Sequence, residues 1–253
     1  MIVQYCSDLH LEFPENAEYV SRLNMNTGAD ILILAGDIVP FHQMHLHMEI
    51  LKRFSDSFER VFWIAGNHEY YFDSIDNRAG SFKENIFDNL ILLNNQQVEI
   101  NQVGFIFSTL WTNISNSYEK IIAARLSDYH VINANKKTLT VEDTNRMHQQ
   151  SLEYIKQALD NAETQKNIVV THHVPSLLYY PDAYKNSPIN EAFVVDISDA
   201  IEIYQPEYWI YGHSHMNTPP FKIGKTTLLT NQLGYIRRNE HHAFEFTKSF
   251  EIG

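Results

Sequence analysis

Short apolar runs, each closed by a polar residue, recur along the chain. Residues 2–6 (IVQYC), 31–37 (ILILAGD), 61–65 (VFWIA), 168–171 (IVVT) and 208–211 (YWIY) are apolar through most of their length, as strands buried on both faces of a sheet are. Between the second and third runs, Met44, His47, Met48, Leu51 and Phe54 recur at helical spacing. They predict a helix over 44–58 and a βαβ unit, hence parallel strands joined by a right-handed crossover. Residues 90–93, 97–100 and 104–108 read as three strands without long helices between them, which predicts a mixed or antiparallel region near a sheet edge. A polar helix carrying Phe82, Ile86 and Phe87 is predicted over 74–89. Thr140, with Asp143 three residues on, opens a helix whose apolar stripe is Met147, Leu152, Ile155 and Leu159. A short helix over 195–204 and strands over 221–223, 227–230 and 243–246 follow. Residues 110–135 have no clear period and include Trp111, Arg125, Asp128, Tyr129 and His130; long irregular stretches of this kind often border a site.

The polar residues that close the runs are of metal-ligand type. Asp8 and His10 follow the first run, Asp37 the second, Asn67 and His68 the third, His172 and His173 the fourth, and His213 and His215 the fifth. In extended chain, residues two apart share a side, so Asp8 with His10, and His213 with His215, can each grip one ion. Asn67 and His68, like His172 and His173, are adjacent, so one of each couple faces a metal and the other is free for a different task. Carboxylate, amide and imidazole without thiolate suit manganese, iron, zinc, cobalt or nickel.

The ordered set Asp-X-His, Gly-Asp, Gly-Asn-His-Glu, His, Gly-His-X-His, running from Asp8 to His215, resembles the calcineurin-like metallophosphoesterases. The resemblance implies an α/β (α+β) fold, a four-layer αββα sandwich with two mixed β-sheets, in one domain over residues 1–253. It also implies two divalent ions, manganese the preferred guess, at the carboxyl ends of the strands. One would be held by Asp8, His10, Asp37 and His215, the other by Asp37, Asn67, His172 and His213, with Asp37 bridging. His68 would be the acid at the leaving oxygen, and His173 would line the substrate pocket. In the protein-phosphatase branch an aspartate three residues after the bridging one orients this histidine; here that position is Pro40, and GDIVP lacks the Asp-Arg-Gly of that branch. The chain is therefore similar to the small bacterial-type phosphoesterases rather than to serine/threonine protein phosphatases, and what orients His68 is left open. Glu12 reads as a solvated loop carboxylate more readily than as a support for the ligands, and Glu69 as a cap or surface residue. His42, His45 and His47 cluster without a carboxylate or cysteine spaced for a third metal. Tyr179, Tyr180 and Tyr184 either wall the site or pack their own loop.

Composition narrows the reading. The 253 residues carry a formal net charge of -12, which argues against holding nucleic acid by its backbone charge. Two divalent ions can still make a local cationic site within an acidic protein. A single cysteine, Cys6, excludes an internal disulfide and fits a reducing, cytoplasmic setting. No run is long enough to span a bilayer, and the segment after Met1 has no secretory pattern. The expected activity is a dinuclear-metal-dependent hydrolase cleaving a phosphomonoester or phosphodiester by attack of a metal-bridging hydroxide. Its substrate would be a small phosphorylated molecule, a nucleotide among the candidates because tyrosines can stack a base. The competing reading is a catalytically silent scaffold that serves as a protein-binding module; such a scaffold is free to lose ligands, and this chain keeps the set. A nuclease ranks lower for want of a basic surface.

Overall fold

Alternation along each apolar run sends its side chains to two different cores, and this is what stacks the protein into layers. The computed structural model describes residues 1–78 and 80–253. Its strands are β1 (Ile2–Cys6), β2 (Ile31–Ala35), β3 (Arg60–Ile64), β4 (Phe82–Asn85), β5 (Leu90–Asn94), β6 (Gln96–Ile100), β7 (Val103–Ser108), β8 (Asn133–Ala134), β9 (Lys137–Thr138), β10 (Lys166–Thr171), β11 (Tyr208–Tyr211), β12 (Phe221–Ile223), β13 (Thr226–Thr230) and β14 (Ser249–Glu251). One six-stranded sheet has the order β14-β1-β2-β3-β5-β4, the other β12-β13-β11-β10-β7-β6. In each, four central strands run parallel and both edges are antiparallel.

Tyr5, Ile33, Phe62 and Ile64 of the first sheet meet Phe105, Phe107, Val170 and Ile210 of the second in one buried core. The opposite face of the first sheet, including Leu32, Leu34 and Trp63, is covered by Leu51 and Phe54 of the helix Met48–Ser57. The opposite face of the second, Ile106, Val169 and Trp209, is covered by Ile155 of the helix Val141–Asp160 and Ile201 of the helix Ser198–Tyr204. The result is the αββα sandwich. The longer helix opens with the capping box expected at Thr140 and Asp143. No helix among the described residues is long and apolar enough to cross a membrane.

Three expected elements are corrected. The helix over 44–58 is split into a 3-10 turn, Phe41–Leu46, and the helix Met48–Ser57, because His47 between them has φ -117° and ψ 15°. The break leaves Leu46 exposed and turns Leu51 and Phe54 into the core. The polar helix over 74–89 is a 3-10 turn, Ile75–Asn77, followed by β4 paired antiparallel to β5. Gly80 at φ +70° interrupts any helix there, and pairing satisfies the backbone of β5 that a bare edge would leave open. The strand over 243–246 is absent: a 3-10 turn, Glu240–Ala243, delivers Phe244 and Phe246 into the helix-side core, and the closing strand is β14.

Candidate metal centre

The loops after β1, β2, β3, β10 and β11 converge at the carboxyl ends of the parallel strands, the edge at which open α/β sheets build sites. Strand alternation is not what aims the ligands, however. β1 stops at Cys6 and β11 at Tyr211, and the residues beyond turn left-handed: φ is 56° at Asp8, 47° at His10, 55° at Asp37, 74° at His213 and 54° at His215. Each such residue costs about 1–2 kcal/mol relative to the right-handed regions. The neighbouring loops hold them there. The Asp8 and His10 amides donate to the carbonyls of Gly36 and Asp37 at 2.9 and 3.0 Å, the His213 amide donates to both Asp8 carboxylate oxygens at 3.0 and 3.1 Å, and the His215 amide donates to Gln232 Oε1 at 2.6 Å. Gly66 is required for a steric reason: a Cβ there would lie 2.7 Å from His172 Nε2 and overlap Asp37 Oδ1.

Two groups of side-chain atoms result. In the first, His10 Nε2 and His215 Nε2 are 3.0 Å apart, with Asp8 Oδ1 3.4 Å from His215 Nε2. In the second, His172 Nε2 is 3.1 Å from His213 Nδ1 and 3.3 Å from Asn67 Oδ1. Asp37 Oδ2 lies between them, 3.4 Å from His172 Nε2 and 3.8 Å from His10 Nε2. All seven residues proposed as ligands are thus brought together, and all but His215 are buried. His173 stands apart: it is buried, donates from Nδ1 to the Thr109 carbonyl at 3.2 Å, and backs the His213 ring at 4.2 Å between centroids.

The other ring nitrogen of each imidazole is committed. His10 Nδ1 donates to Glu12 Oε1 at 3.0 Å, His172 Nδ1 to the Ala35 carbonyl at 2.9 Å, His213 Nε2 to the Ala192 carbonyl at 3.2 Å and His215 Nδ1 to Glu240 Oε2 at 2.6 Å. A donor bond on one nitrogen leaves the lone pair on the other, which in every case is the nitrogen turned into the cluster. The Asn67 amide nitrogen donates to Asp128 Oδ1 at 3.0 Å, which points its carbonyl oxygen inward. Nitrogen and oxygen donor atoms turned toward one another at these distances fit two divalent cations of borderline or hard character.

Electrostatics agrees with the geometry. Burial alone would push His172 and His215 down, but Asp37 and Asp8 raise His172 to about 9, and Asp8 with Glu240 raises His215 to about 10. The carboxylates call for positive charge between them. His213, buried beside His172, is pushed down to about 3 and keeps its lone pair.

His68 sits at the edge of the first group. Its amide donates to Asp37 Oδ1 at 2.9 Å, its Nδ1 is 3.1 Å from Glu12 Oε1, and its ring stacks on Tyr71 at 3.9 Å between centroids. The Tyr235 hydroxyl is 3.5 Å from His68 Nε2. Burial opposes protonation of His68, but Asp37 and Glu12 outweigh it and raise the imidazole above its ordinary value. Burial and Asp37 push the Tyr235 phenol upward, so its hydroxyl keeps its proton.

Two glutamates are corrected by these contacts. Glu12 is not a solvated loop carboxylate; it is largely buried and joins two histidines. Glu69 is neither cap nor surface residue. Fully buried, it accepts from the amides of Asp37, Ile38 and Gly66 and from Trp63 Nε1 at 2.7 to 3.0 Å, locking the second ligand loop to the third. Asp128, Glu240, Tyr71 and Tyr235 also go unsignalled by local spacing; only the aperiodic stretch 110–135 hints at Asp128. The tyrosine loop packs on itself and on the second sheet: Tyr180 is in the outer core and Tyr179 lies against Phe221 at 4.8 Å.

A family profile described as calcineurin-like phosphoesterase matches residues 3–217. An uncharacterized protein of Acanthamoeba polyphaga mimivirus is 37% identical over 97% of this chain and 95% of its own length. The phosphopantetheinyl hydrolase of Mycobacterium tuberculosis shares the fold, with a TM-score of 0.68 and 18% identity over 95% of this chain and 93% of that one. A dimetal phosphatase from Danio rerio aligns with a TM-score of 0.47 and 13% identity over 92% and 87% of the two chains.

Proposed function

The chain belongs to the calcineurin-like phosphoesterase family and so to the metal-dependent phosphoesterases; on that premise we propose that it hydrolyses a phosphomonoester or phosphodiester of a small molecule with two divalent cations, manganese first among them. The observation that carries this reading is the pairing of roles in the four imidazoles: each gives one nitrogen to an oxygen acceptor and turns the other into one of two groups that share Asp37. We assign Asp8, His10, Asp37 and His215 to one cation and Asp37, Asn67, His172 and His213 to the other. Cations so held supply a Lewis acid for the phosphoryl oxygens and a water of lowered pKa.

The residues around them do the rest. Within the cluster His215 is 13% exposed, and His68 beside it is 13% exposed, whereas His10 and His172 are fully buried. Substrate therefore approaches from the side of His68, His215 and Tyr235. His68, with Nδ1 engaged by Glu12, presents Nε2 to that side and gives a proton to the leaving oxygen. Tyr235 places a neutral O–H donor beside it for a phosphoryl oxygen. His173, buried behind the His213 ring, shapes the floor of the site.

The test is hydrolysis of p-nitrophenyl phosphate and bis-p-nitrophenyl phosphate with manganese, with chelator, and in Asp37→Asn and His68→Ala variants. Turnover should need metal, and Asp37→Asn should lower kcat by about 10²-fold or more, at or beyond the upper end of what losing a hydrogen-bonding support of a ligand costs. Undiminished turnover in Asp37→Asn would overturn the reading. A screen of nucleotides, cyclic nucleotides, nucleotide sugars and phosphopantetheinyl esters then identifies the substrate, the last because of the structural neighbour's activity.

A further inference from the structure

We propose that Glu12 is the positioning residue for His68, replacing the aspartate whose place Pro40 occupies. The inference rests on the assignment of His68 as the proton donor. Glu12 Oε1 accepts from His68 Nδ1 at 3.1 Å and from His10 Nδ1 at 3.0 Å. Its other oxygen, Oε2, is buried and has no hydrogen-bond partner among the described residues. The carboxylate is thus tied only to these two rings and braces no backbone, unlike Glu69 with its three amide donors.

The rest of the His68 environment shows what the tie accomplishes. The His68 backbone is pinned to Asp37 Oδ1 and one ring face is covered by Tyr71. Stacking fixes the plane of a ring but not which nitrogen lies at which edge; a flip about the Cβ–Cγ bond would exchange Nδ1 for carbon. The bond to Glu12 removes that freedom and keeps a proton on Nδ1, so that Nε2 is the edge facing Tyr235 and solvent. The Pro40 side chain carries no acceptor, and the first loop supplies one in Glu12 instead. One oxygen thereby links the ring that protonates the leaving group to the ring of His10, a proposed ligand of the first cation.

The experiment compares Glu12→Ala, Glu12→Gln and His68→Ala at saturating manganese on aryl and alkyl phosphates of increasing leaving-group pKa. Loss of an oriented general acid should lower kcat on the poorest leaving groups by about 10²-fold and leave p-nitrophenyl phosphate within a factor of about three. Glu12→Ala should reproduce that selective loss, and Glu12→Gln, which keeps an acceptor in the same place, should recover part of it. If His68→Ala shows the selective loss and Glu12→Ala is flat across the series, Glu12 is not the positioning residue while the proton-donor assignment stands. If His68→Ala is itself flat, that assignment fails. A Glu12→Ala loss that is equal on all substrates would mean that Glu12 serves His10 alone and would overturn the proposal. Nitrogen-15 NMR of the zinc-loaded wild type supplies a readout without a variant: His68 should carry its proton on Nδ1, and a neutral ring protonated only at Nε2 would also overturn it.

Discussion

Asp128 Oδ1 accepts a 3.0 Å hydrogen bond from the Asn67 amide nitrogen across 61 residues of chain, and this bond decides which end of the amide faces His172. The same oxygen accepts from the Tyr71 hydroxyl at 2.7 Å, so the residue that aims Asn67 also holds the ring stacked on His68. Asp128→Ala frees the amide to flip and present N–H₂ to the cations. Loss of such a supporting bond typically weakens metal binding by about 10- to 100-fold, and calorimetric titration of metal-free protein with zinc should show that weakening in one of two binding steps. Two unchanged steps would mean that Asn67 holds its orientation unaided.

Glu240 bears the same relation to His215, accepting from Nδ1 at 2.6 Å while also accepting the Tyr235 amide at 2.7 Å. In Glu240→Ala the first cation should bind about tenfold or more weakly. The Tyr235 turn should loosen as well, which a rise in KM would report. An unchanged affinity would show that Asp8 alone orients the ring.

Glu69 is a question of stability. Its carboxylate accepts three amides of the loops that carry Asp37 and Asn67 and Nε1 of Trp63 in β3, and each buried donor left unpaired costs about 1–3 kcal/mol. Glu69→Ala should lose about 3 kcal/mol or more in urea unfolding of the metal-free protein, since several of these donors lose their acceptor together. A loss below about 1 kcal/mol would show that water takes over the four bonds.

His148, on the helix Val141–Asp160 away from the cluster, gives a pH dependence whose sign can be worked out. Burial holds its pKa below the ordinary value, against the hydrogen bond from Nδ1 to the Leu110 carbonyl at 3.1 Å. The unfolded chain therefore binds the proton first as pH falls, and the contribution of His148 to stability is full above about 6.5 and declines on acidification below it. The stability difference between wild type and His148→Gln should be smaller at pH 5 than at pH 7.5. A difference that grows on acidification would place a charged His148 in the folded state.

Much of the centre is legible in the chain because a strand and its closing polar residue are neighbours in sequence. ILILAGD announces both a buried strand and Asp37, and YWIYGHSH both β11 and the pair His213 and His215. The helix capped by Thr140 is legible for the same local reason. What misleads is local pattern where a distant partner outweighs it: 74–89 has helical spacing, yet Phe82–Asn85 joins a sheet because the edge of β5 needs pairing. Glu12 looks like a loop carboxylate because the ring that buries it, His68, is 56 residues away.

The sequence by itself determined the chemical inventory: which oxygen and imidazole donors exist, in what order they follow strands, and that no thiolate joins them. Tertiary structure alone decided which atom of each donor faces inward, because that choice belongs to acceptors brought from elsewhere in the chain, Glu12 and Glu240, the Ala35 and Ala192 carbonyls, and Asp128. An imidazole or amide has two usable ends of nearly equal intrinsic energy, so its own identity cannot select one. Only a partner fixed in space by the packed sheets can.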